Sequence, residues 1–236
     1  MKHGIITILV AILLFSPCKG FSETPSSKEL TEWRSAAQQG DANAQVLLGL
    51  MYEIGDGVPQ DYAEACKWYI LAVQQGDVNA LFYLGQMYYE GKGVRQDYAE
   101  ALKIFSLLAK WGEARAQFQL GEMYYHGKGV RQDYAEALKW YRLAALQGDD
   151  GAQNNLGLMY EKGRGVRQDY AEALKWYRLA ALQGDAVAQF NLGEMYEKGR
   201  GLRQNKREAK EWYGKACDNK NQNGCDAFSR LNELGY

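Results

Sequence analysis

The stretch VRQDYAEALKWYRLAALQGD, residues 130–149, recurs letter for letter at residues 166–185. The copies begin at residues 130 and 166, so the offset is 36 residues. The same offset relates single glycines at 49, 85, 121, 157 and 193, and Gly-x-Gly pairs at 55/57, 91/93, 127/129, 163/165 and 199/201. A catalytic site needs no duplicate, whereas a unit that buries its apolar face on copies of itself does. The repeat therefore predicts an array of stacked units.

Each unit contains two predicted helices. In the first, the run from Tyr62 to Ala72 and its equivalents place apolar residues three and four positions apart, which is the helical period. A capping box is predicted at its start, where an aspartate is followed three positions later by a glutamate: Asp61 and Glu64, Asp97 and Glu100, Asp133 and Glu136, Asp169 and Glu172. A glycine is predicted to end each of these helices, at Gly76, Gly112, Gly148 and Gly184. In the second helix, Gly193 costs about 1 kcal/mol relative to alanine. A close helix contact is therefore expected there.

Six helix pairs follow, beginning at Lys28, Asp61, Asp97, Asp133, Asp169 and Asn205. Their pattern is A-x-x-x-L-G-x-x-Y-x-x-G-x-G-V-x-x-D followed by A-x-x-W-Y-x-x-A-A-x-x-G, which residues 152–184 carry completely. This pattern resembles the Sel1-like repeat proteins, relatives of the tetratricopeptide repeats. The resemblance implies an all-α fold, a right-handed α/α superhelical solenoid of about six helix-turn-helix repeats, used as an adaptor or recognition scaffold. In such a fold the tryptophans at 68, 140, 176 and 212 and the tyrosines at 52, 88, 124, 160 and 196 are expected in the core.

The N-terminus has the pattern of a secretory signal peptide. Lys2 precedes an apolar run from Gly4 to Phe15, too short to cross a bilayer as a helix. The predicted organisation is a signal peptide at 1–20, cleaved after Gly20 or Ser22, a short linker at 21–27 and the solenoid at 28–236. Lipidation at Cys18 is the alternative, which Pro17 disfavours. The mature protein is expected in the periplasm or secreted, without a membrane segment.

Composition argues against several classes of function. The chain is 47% hydrophobic, which excludes general disorder, and its 28 Lys and Arg are interleaved with 29 Asp and Glu, which leaves no basic footprint for nucleic acid. No metal spacing or catalytic motif is recognisable after residue 20, and no cofactor is predicted. His126 aligns with Glu90, Lys162 and Lys198, so we expect it in solvent near a helix end.

Cys217 and Cys225 flank the turn between the last two predicted helices. Their spacing resembles the Cys-x7-Cys bridges of the Helicobacter cysteine-rich proteins, a secreted branch of the same family. In an exported protein this predicts a disulfide that locks the terminal repeat. Cys66 aligns with Leu102, Leu138 and Leu174 and is expected to be a buried, unreactive thiol.

Comparison between repeats identifies unusual aromatic residues. Tyr89 and Tyr125 replace the glutamate of three sister repeats, and Trp111 replaces a glutamine found in four. Tyr83 replaces Gln or Asn in three others. We assume that a position which is polar in most repeats is exposed to solvent in every repeat. These aromatic residues are then exposed, and exposed Trp and Tyr are typical anchors for protein partners. The alternative is that Trp111 covers a gap left by Ile104 and that the tyrosines cover neighbouring helices.

The sequence favours a non-enzymatic interaction scaffold that binds a protein of the cell envelope or of a host. The alternative is a protein that binds peptidoglycan or β-lactams, with a β-lactamase-like hydrolase as its enzymatic form. The resemblance implies it because some members of the cysteine-rich branch have been described as penicillin-binding or β-lactamase-like. The usual serine mechanism needs Ser-x-x-Lys, and the match is Ser16 to Lys19, inside the predicted signal peptide.

Overall fold

The computed structural model describes residues 27–236, with side chains from Leu30 onward. The predicted signal peptide, with Ser16, Cys18 and Lys19, lies outside the described residues. Residues 27–236 form twelve helices and no strands. The helices are α1 Ser27–Gln38, α2 Ala42–Ile54, α3 Tyr62–Gln74, α4 Val78–Glu90, α5 Tyr98–Lys110, α6 Ala114–His126, α7 Tyr134–Leu146, α8 Asp150–Lys162, α9 Tyr170–Leu182, α10 Ala186–Lys198, α11 Lys206–Asp218 and α12 Gln222–Glu233. The all-α prediction and the six helix pairs are confirmed.

The helices divide between two compact units. The described part of the first unit, residues 27–77, contains α1 to α3, and the second unit, residues 78–236, contains α4 to α12. In each unit, sequential helices pack against one another along the chain, so the fold is a solenoid of repeats. Within residues 27–236, no helix is both long enough and apolar enough to span a bilayer.

The predicted capping box is half correct. The Asp61 carboxylate accepts hydrogen bonds from the backbone N–H groups of Ala63 and Glu64, and Asp97, Asp133 and Asp169 cap their helices in the same way. The Glu64 side chain, however, pairs with Lys67 at 2.6 Å, and the Asp61 N–H donates to the carbonyl of Tyr52 at the end of α2. The preceding helix therefore satisfies the donor that a complete capping box would leave to glutamate.

The glycine inside each second helix permits the contact that its cost predicted. A Cβ added at Gly193 would lie 2.7 Å from the ring of Tyr213, and one at Gly157 would lie 2.7 Å from the ring of Tyr177. Gly49 faces Tyr69 and Gly121 faces Tyr141 in the same way, and Gly85 faces Ile104 and Phe105. Each glycine helix is thus in close contact with the helix that follows it.

The fully buried aromatic residues differ from the predicted ones. They are the residues that face those glycines, namely Tyr69, Phe105, Tyr141, Tyr177 and Tyr213. Of the residues expected in the core, Trp176, Trp212 and Tyr160 are buried, whereas Trp68 and Trp140 are half-buried, as are the tyrosines at 52, 88, 124 and 196. Those two tryptophans and four tyrosines are therefore less buried than expected. The space beside the glycine of each second helix is filled by the aromatic ring of the following helix instead.

Candidate interaction surface

A row of apolar side chains lies exposed at the C-terminal ends of α5, α7 and α9. Trp111 is 61% exposed, and Leu146 and Leu182 are each 70% exposed. The row, which we call the leucine row, is completed by leucines 36 residues apart at Leu107, Leu143 and Leu179. The side-chain amide of Gln147, at the end of α7, donates to the carbonyl of Gly112, just after α5, which brings the ends of α5 and α7 together. Exposed apolar residues that form a contiguous patch mark interaction sites.

Trp111 replaces the exposed member of a recurring amide pair whose other member is buried. In four other places a glutamine near the start of the second helix accepts a hydrogen bond from the amide thirty residues later, at 2.7 to 2.9 Å, as in Gln45–Gln75, Gln117–Gln147, Gln153–Gln183 and Gln189–Asn219. The equivalent positions in α4 and after α5 hold Leu81 and Trp111. Both amides are therefore replaced by apolar residues together, which leaves no buried amide without a partner. With 61% of Trp111 exposed, the alternative that it folds over Ile104 does not hold.

The disulfide replaces a second contact of the same glutamine. The Nε2 group of Gln189 donates to the carbonyl of Ala181, eight residues earlier, at 3.1 Å, and Gln45, Gln117 and Gln153 do the same. Thirty-six residues after this pair stand Cys217 and Cys225, which form the predicted disulfide with a Cα–Cα distance of 4.5 Å. A covalent bond thus joins the last two helices where the other repeats use a hydrogen bond.

Removing this disulfide is expected to lower the stability of the last helix pair. For a loop with a sequence separation of 8, the chain-entropy estimate is about 2.5 kcal/mol. Hydrogen exchange of the Cys217→Ala/Cys225→Ala variant should show faster exchange in α12, with α7 to α9 unchanged, because each repeat contacts only its neighbours. A Cys66→Ala variant is the control for loss of a thiol, and unchanged exchange in α12 would contradict the prediction.

The glutamate that aligns with Tyr89 and Tyr125 is not in solvent. Glu161 is only 7% exposed, and its carboxylate accepts a hydrogen bond from the hydroxyl of Tyr177 at 2.9 Å. Arg200 and Lys162 contact the other oxygen at 2.7 and 3.1 Å. Burial alone raises the pKa of Glu161, but the Tyr177 hydrogen bond and the two cations outweigh it, so the pKa lies below its usual range. The premise that a position occupied by glutamate in most repeats is solvent-exposed in every repeat was therefore wrong.

The tyrosines at this position are half-buried for a related reason. Tyr89 packs edge-on against Tyr98 with ring centroids 5.2 Å apart, and the residue that aligns with Tyr177 there is Phe105, which needs no acceptor. Tyr125 packs in the same way on Tyr134, also at 5.2 Å. In that repeat the hydroxyl of Tyr141 donates to Glu122 instead. Tyr89 and Tyr125 thus cover neighbouring rings, as the alternative interpretation expected.

The four predicted partner-binding residues lie in two places. Tyr89, at the end of α4, contacts the first residue of α5, whereas Trp111 follows the last residue of α5. A helix of 13 residues is about 20 Å long, so α5 separates the two. Tyr125 has the same place in α6 as Tyr89 in α4. Tyr83, in the middle of α4, is half-buried beside Phe82.

His126 and Cys66 lie as expected. His126 is exposed at the end of α6, with its Nε2 atom 3.4 Å from the carboxylate of Glu122. Cys66 is a buried free thiol, and its burial raises the pKa of the thiol, which disfavours the reactive thiolate. Among residues 27–236 there is no group of three or more His, Cys, Asp or Glu side chains arranged to hold a metal ion.

The sequence profile of the Sel1 repeat matches residues 42–77, 78–110, 114–149, 151–185 and 186–221. The chain belongs to the Sel1 repeat family. Each matched segment pairs a glycine-containing helix with the helix that follows, which is the closely packed pair of the structure. Sel1 repeats generally act as scaffolds for protein–protein interaction.

Solved structures similar to this Sel1 repeat protein include two that exceed 30% identity. One is a protective antigen of uropathogenic Escherichia coli with an SLR fold, 39% identical, with a TM-score of 0.77 over 86% of this chain and 44% of that chain. This chain thus spans less than half of that antigen. The other is a Sel1 repeat protein of Oxalobacter formigenes, 33% identical, with a TM-score of 0.76 over 88% of both chains.

A cysteine-rich protein of Helicobacter pylori also matches, at 21% identity and a TM-score of 0.43 over 53% of this chain and 95% of that chain. A likeness at this level says nothing about function. Among curated proteins, no significant match to the sequence is found.

Proposed function

We propose that this Sel1 repeat protein is an exported scaffold without catalytic activity that binds the apolar face of a protein partner through the leucine row. The observation that carries the proposal is the exposure of Trp111, Leu146 and Leu182 at the C-terminal ends of the alternate helices α5, α7 and α9. Tryptophan and leucine in such a row lose unfavourable contact with water when a partner covers them. The partner is a protein of the cell envelope or of a host.

Three observations support export. The Cys217–Cys225 disulfide is a bond of oxidising compartments, and the run from Gly4 to Phe15 has the length of a signal peptide core. The E. coli relative is described as a protective antigen, which fits a place that host immune molecules reach. We infer a periplasmic or secreted protein.

The tyrosines form a second, smaller candidate surface. Tyr89 and Tyr125 lie one repeat apart at the opposite end of α5 from Trp111, and Tyr83 lies between the two places on α4. We propose that they extend the contact only where a partner reaches across the 13 residues of α5. Testing the two places separately decides between them.

Capture of partners from cell-envelope and host-cell extracts tests the proposal. The purified chain is compared with a Trp111→Gln/Leu146→Lys variant, in which both residues take the identity found in sister repeats at Gln75 and Lys110. We expect this variant to retain at least about 10-fold less partner by quantitative mass spectrometry, because interface anchors dominate binding. A Tyr125→Glu variant tests the second surface.

The matched control is Leu234→Gln, an exposed apolar residue at the end of α12 and outside the leucine row. It should capture partner as well as the unmodified chain does. Equal capture by the leucine-row variant and the control would contradict the proposed surface. Labelling of the chain by a fluorescent penicillin, with no protein captured, would replace the proposal by the β-lactam-binding alternative.

A further inference from the structure

A cleft near the C-terminal end of the second unit presents two arginines with no acid beside them. It has a volume of about 440 Å³, and its lining contains no carboxylate, consisting of Leu174, Arg178, Tyr196, Leu202, Arg203, Gln204 and Asn205. The Nη2 group of Arg178 donates to the hydroxyl of Tyr196 at 3.0 Å, which holds that guanidinium against the cleft wall. Two positive charges thus face a space large enough for a side chain.

The same three side chains recur one repeat earlier. Arg142 donates to the hydroxyl of Tyr160, and Arg167 aligns with Arg203. Asp169, the cap of α9, aligns with Asn205, so the Arg178–Arg203 cleft lacks the acid found one repeat earlier. One repeat before Arg142 stands Ser106, and the paired arginines end there. Stacking therefore places two arginine pairs in successive layers, with the stronger positive charge in the last.

These arginines differ from those that stabilise the fold. Arg200 and Arg230 form ion pairs with Glu161 and Glu197, at 2.7 and 2.8 Å. In the described part of the chain, by contrast, neither Arg178 nor Arg203 forms an ion pair, and both are exposed. Because the whole chain has a formal net charge of -1, two unpaired arginines in one cleft are a local departure from its balance. Such a departure favours an anionic partner.

We propose that this cleft, together with the equivalent arginine pair one repeat earlier, binds carboxylate side chains of an acidic, extended segment of the partner. The proposal rests on the proposed function and names the chemistry of a second contact outside the leucine row. The planar guanidinium binds carboxylate through two parallel hydrogen bonds, and Leu174 and Leu202 offer apolar contact to the side chain that carries it.

The spacing of the two arginine pairs sets the spacing of the acids. Packed helices lie about 10 Å apart, which we take as the distance between successive layers of the stack. An extended chain advances about 10 Å in three residues. The segment therefore carries an acid at every third residue. A polyanion without apolar groups, such as polyphosphate, would make no apolar contact with Leu174 and Leu202. We therefore favour an acidic peptide.

The test is fluorescence anisotropy of a labelled peptide with glutamate at every third residue, titrated with the purified full chain. A peptide with glutamine in place of each glutamate is the ligand control. We expect the glutamate peptide to bind at least about 10-fold more tightly than the glutamine peptide, with affinity falling as salt is raised. An Arg178→Gln/Arg203→Gln variant should lose about 10-fold in affinity.

The matched protein control is Lys110→Gln/Lys220→Asn, which removes two exposed positive charges outside the cleft lining. Its affinity should stay within about 2-fold of the unmodified chain, since salt screens exposed charges that do not contact the ligand. Equal losses in the two variants, or equal binding of the two peptides, would overturn the proposal. Binding of polyphosphate in the cleft without binding of the glutamate peptide would also overturn it.

The two proposals fail in distinguishable ways. If the chain captures a protein partner but binds neither peptide, the arginine pairs are not the contact and the scaffold function stands. If the glutamate peptide binds and the leucine-row variant captures partner normally, the leucine row is wrong and the arginine pairs remain.

Discussion

Replacing Gly157 by alanine is expected to lower the free energy of unfolding by about 3 kcal/mol, although the same change inside an exposed helix gains about 1 kcal/mol. The added Cβ would lie 2.7 Å from Cδ1 of Tyr177, whose ring is fully buried and has no free space to enter. The helices α8 and α9 must therefore separate, and the contact that joins them is lost.

Gly151 in the same helix supplies the control. Its added Cβ would lie 3.3 Å from the edge of Phe118, a half-buried ring that has room to adjust. Urea unfolding should place Gly151→Ala within about 1 kcal/mol of the unmodified chain and Gly157→Ala far below it. Equal midpoints for the two variants would show that the glycine is not needed for the close helix contact.

Replacing Glu161 by tyrosine, the residue of two sister repeats, is expected to cost about 3 kcal/mol. The change leaves the buried hydroxyl of Tyr177 without its acceptor and Arg200 without its carboxylate. The α4–α5 pair shows how the chain itself accommodates a tyrosine there, because Tyr89 is accompanied by Phe105. The Glu161→Tyr/Tyr177→Phe double variant should therefore regain at least about half of the loss.

A double-mutant cycle in urea measures this coupling, with Tyr177→Phe as the second single variant. Lys162→Gln is the control, because Lys162 contacts the same carboxylate from an exposed position and should contribute less than about 1 kcal/mol. A double variant that is no more stable than Glu161→Tyr alone would mean that the hydroxyl, once unpaired, is not the source of the cost.

Much of the fold could be predicted from the repeat. The aspartate caps, the terminal glycines and the glycine inside each second helix depend on local backbone geometry, and each recurs at a fixed place in the repeat. The Cys217–Cys225 contact could be predicted because both cysteines flank one short turn. Comparison of aligned repeats contained a further signal that was missed. Leu81 and Trp111 replace two amides together, which indicates that the two positions are in contact elsewhere.

The exposure of polar positions could not be predicted in this way. A glutamate or glutamine indicates a wet position because an unpaired carboxylate or amide is costly to bury. Glu161 and Gln153 are buried all the same, since Tyr177 and Gln183 from the next helix supply their partners. Those partners lie 16 and 30 residues away, and only packing reveals that they meet.

By itself, then, the sequence determined the number of helices, their ends and the terminal disulfide, because each depends on contacts between residues close along the chain. The repeated pattern also determined the family. The tertiary structure alone decided which side chains share a surface. It divided Trp111 from Tyr89 and Tyr125 by the length of α5, and it gathered Arg178 and Arg203 beside Tyr196 although acids are interleaved with them in the chain. The physical reason is that packing of each helix on the next brings together side chains that are remote in sequence.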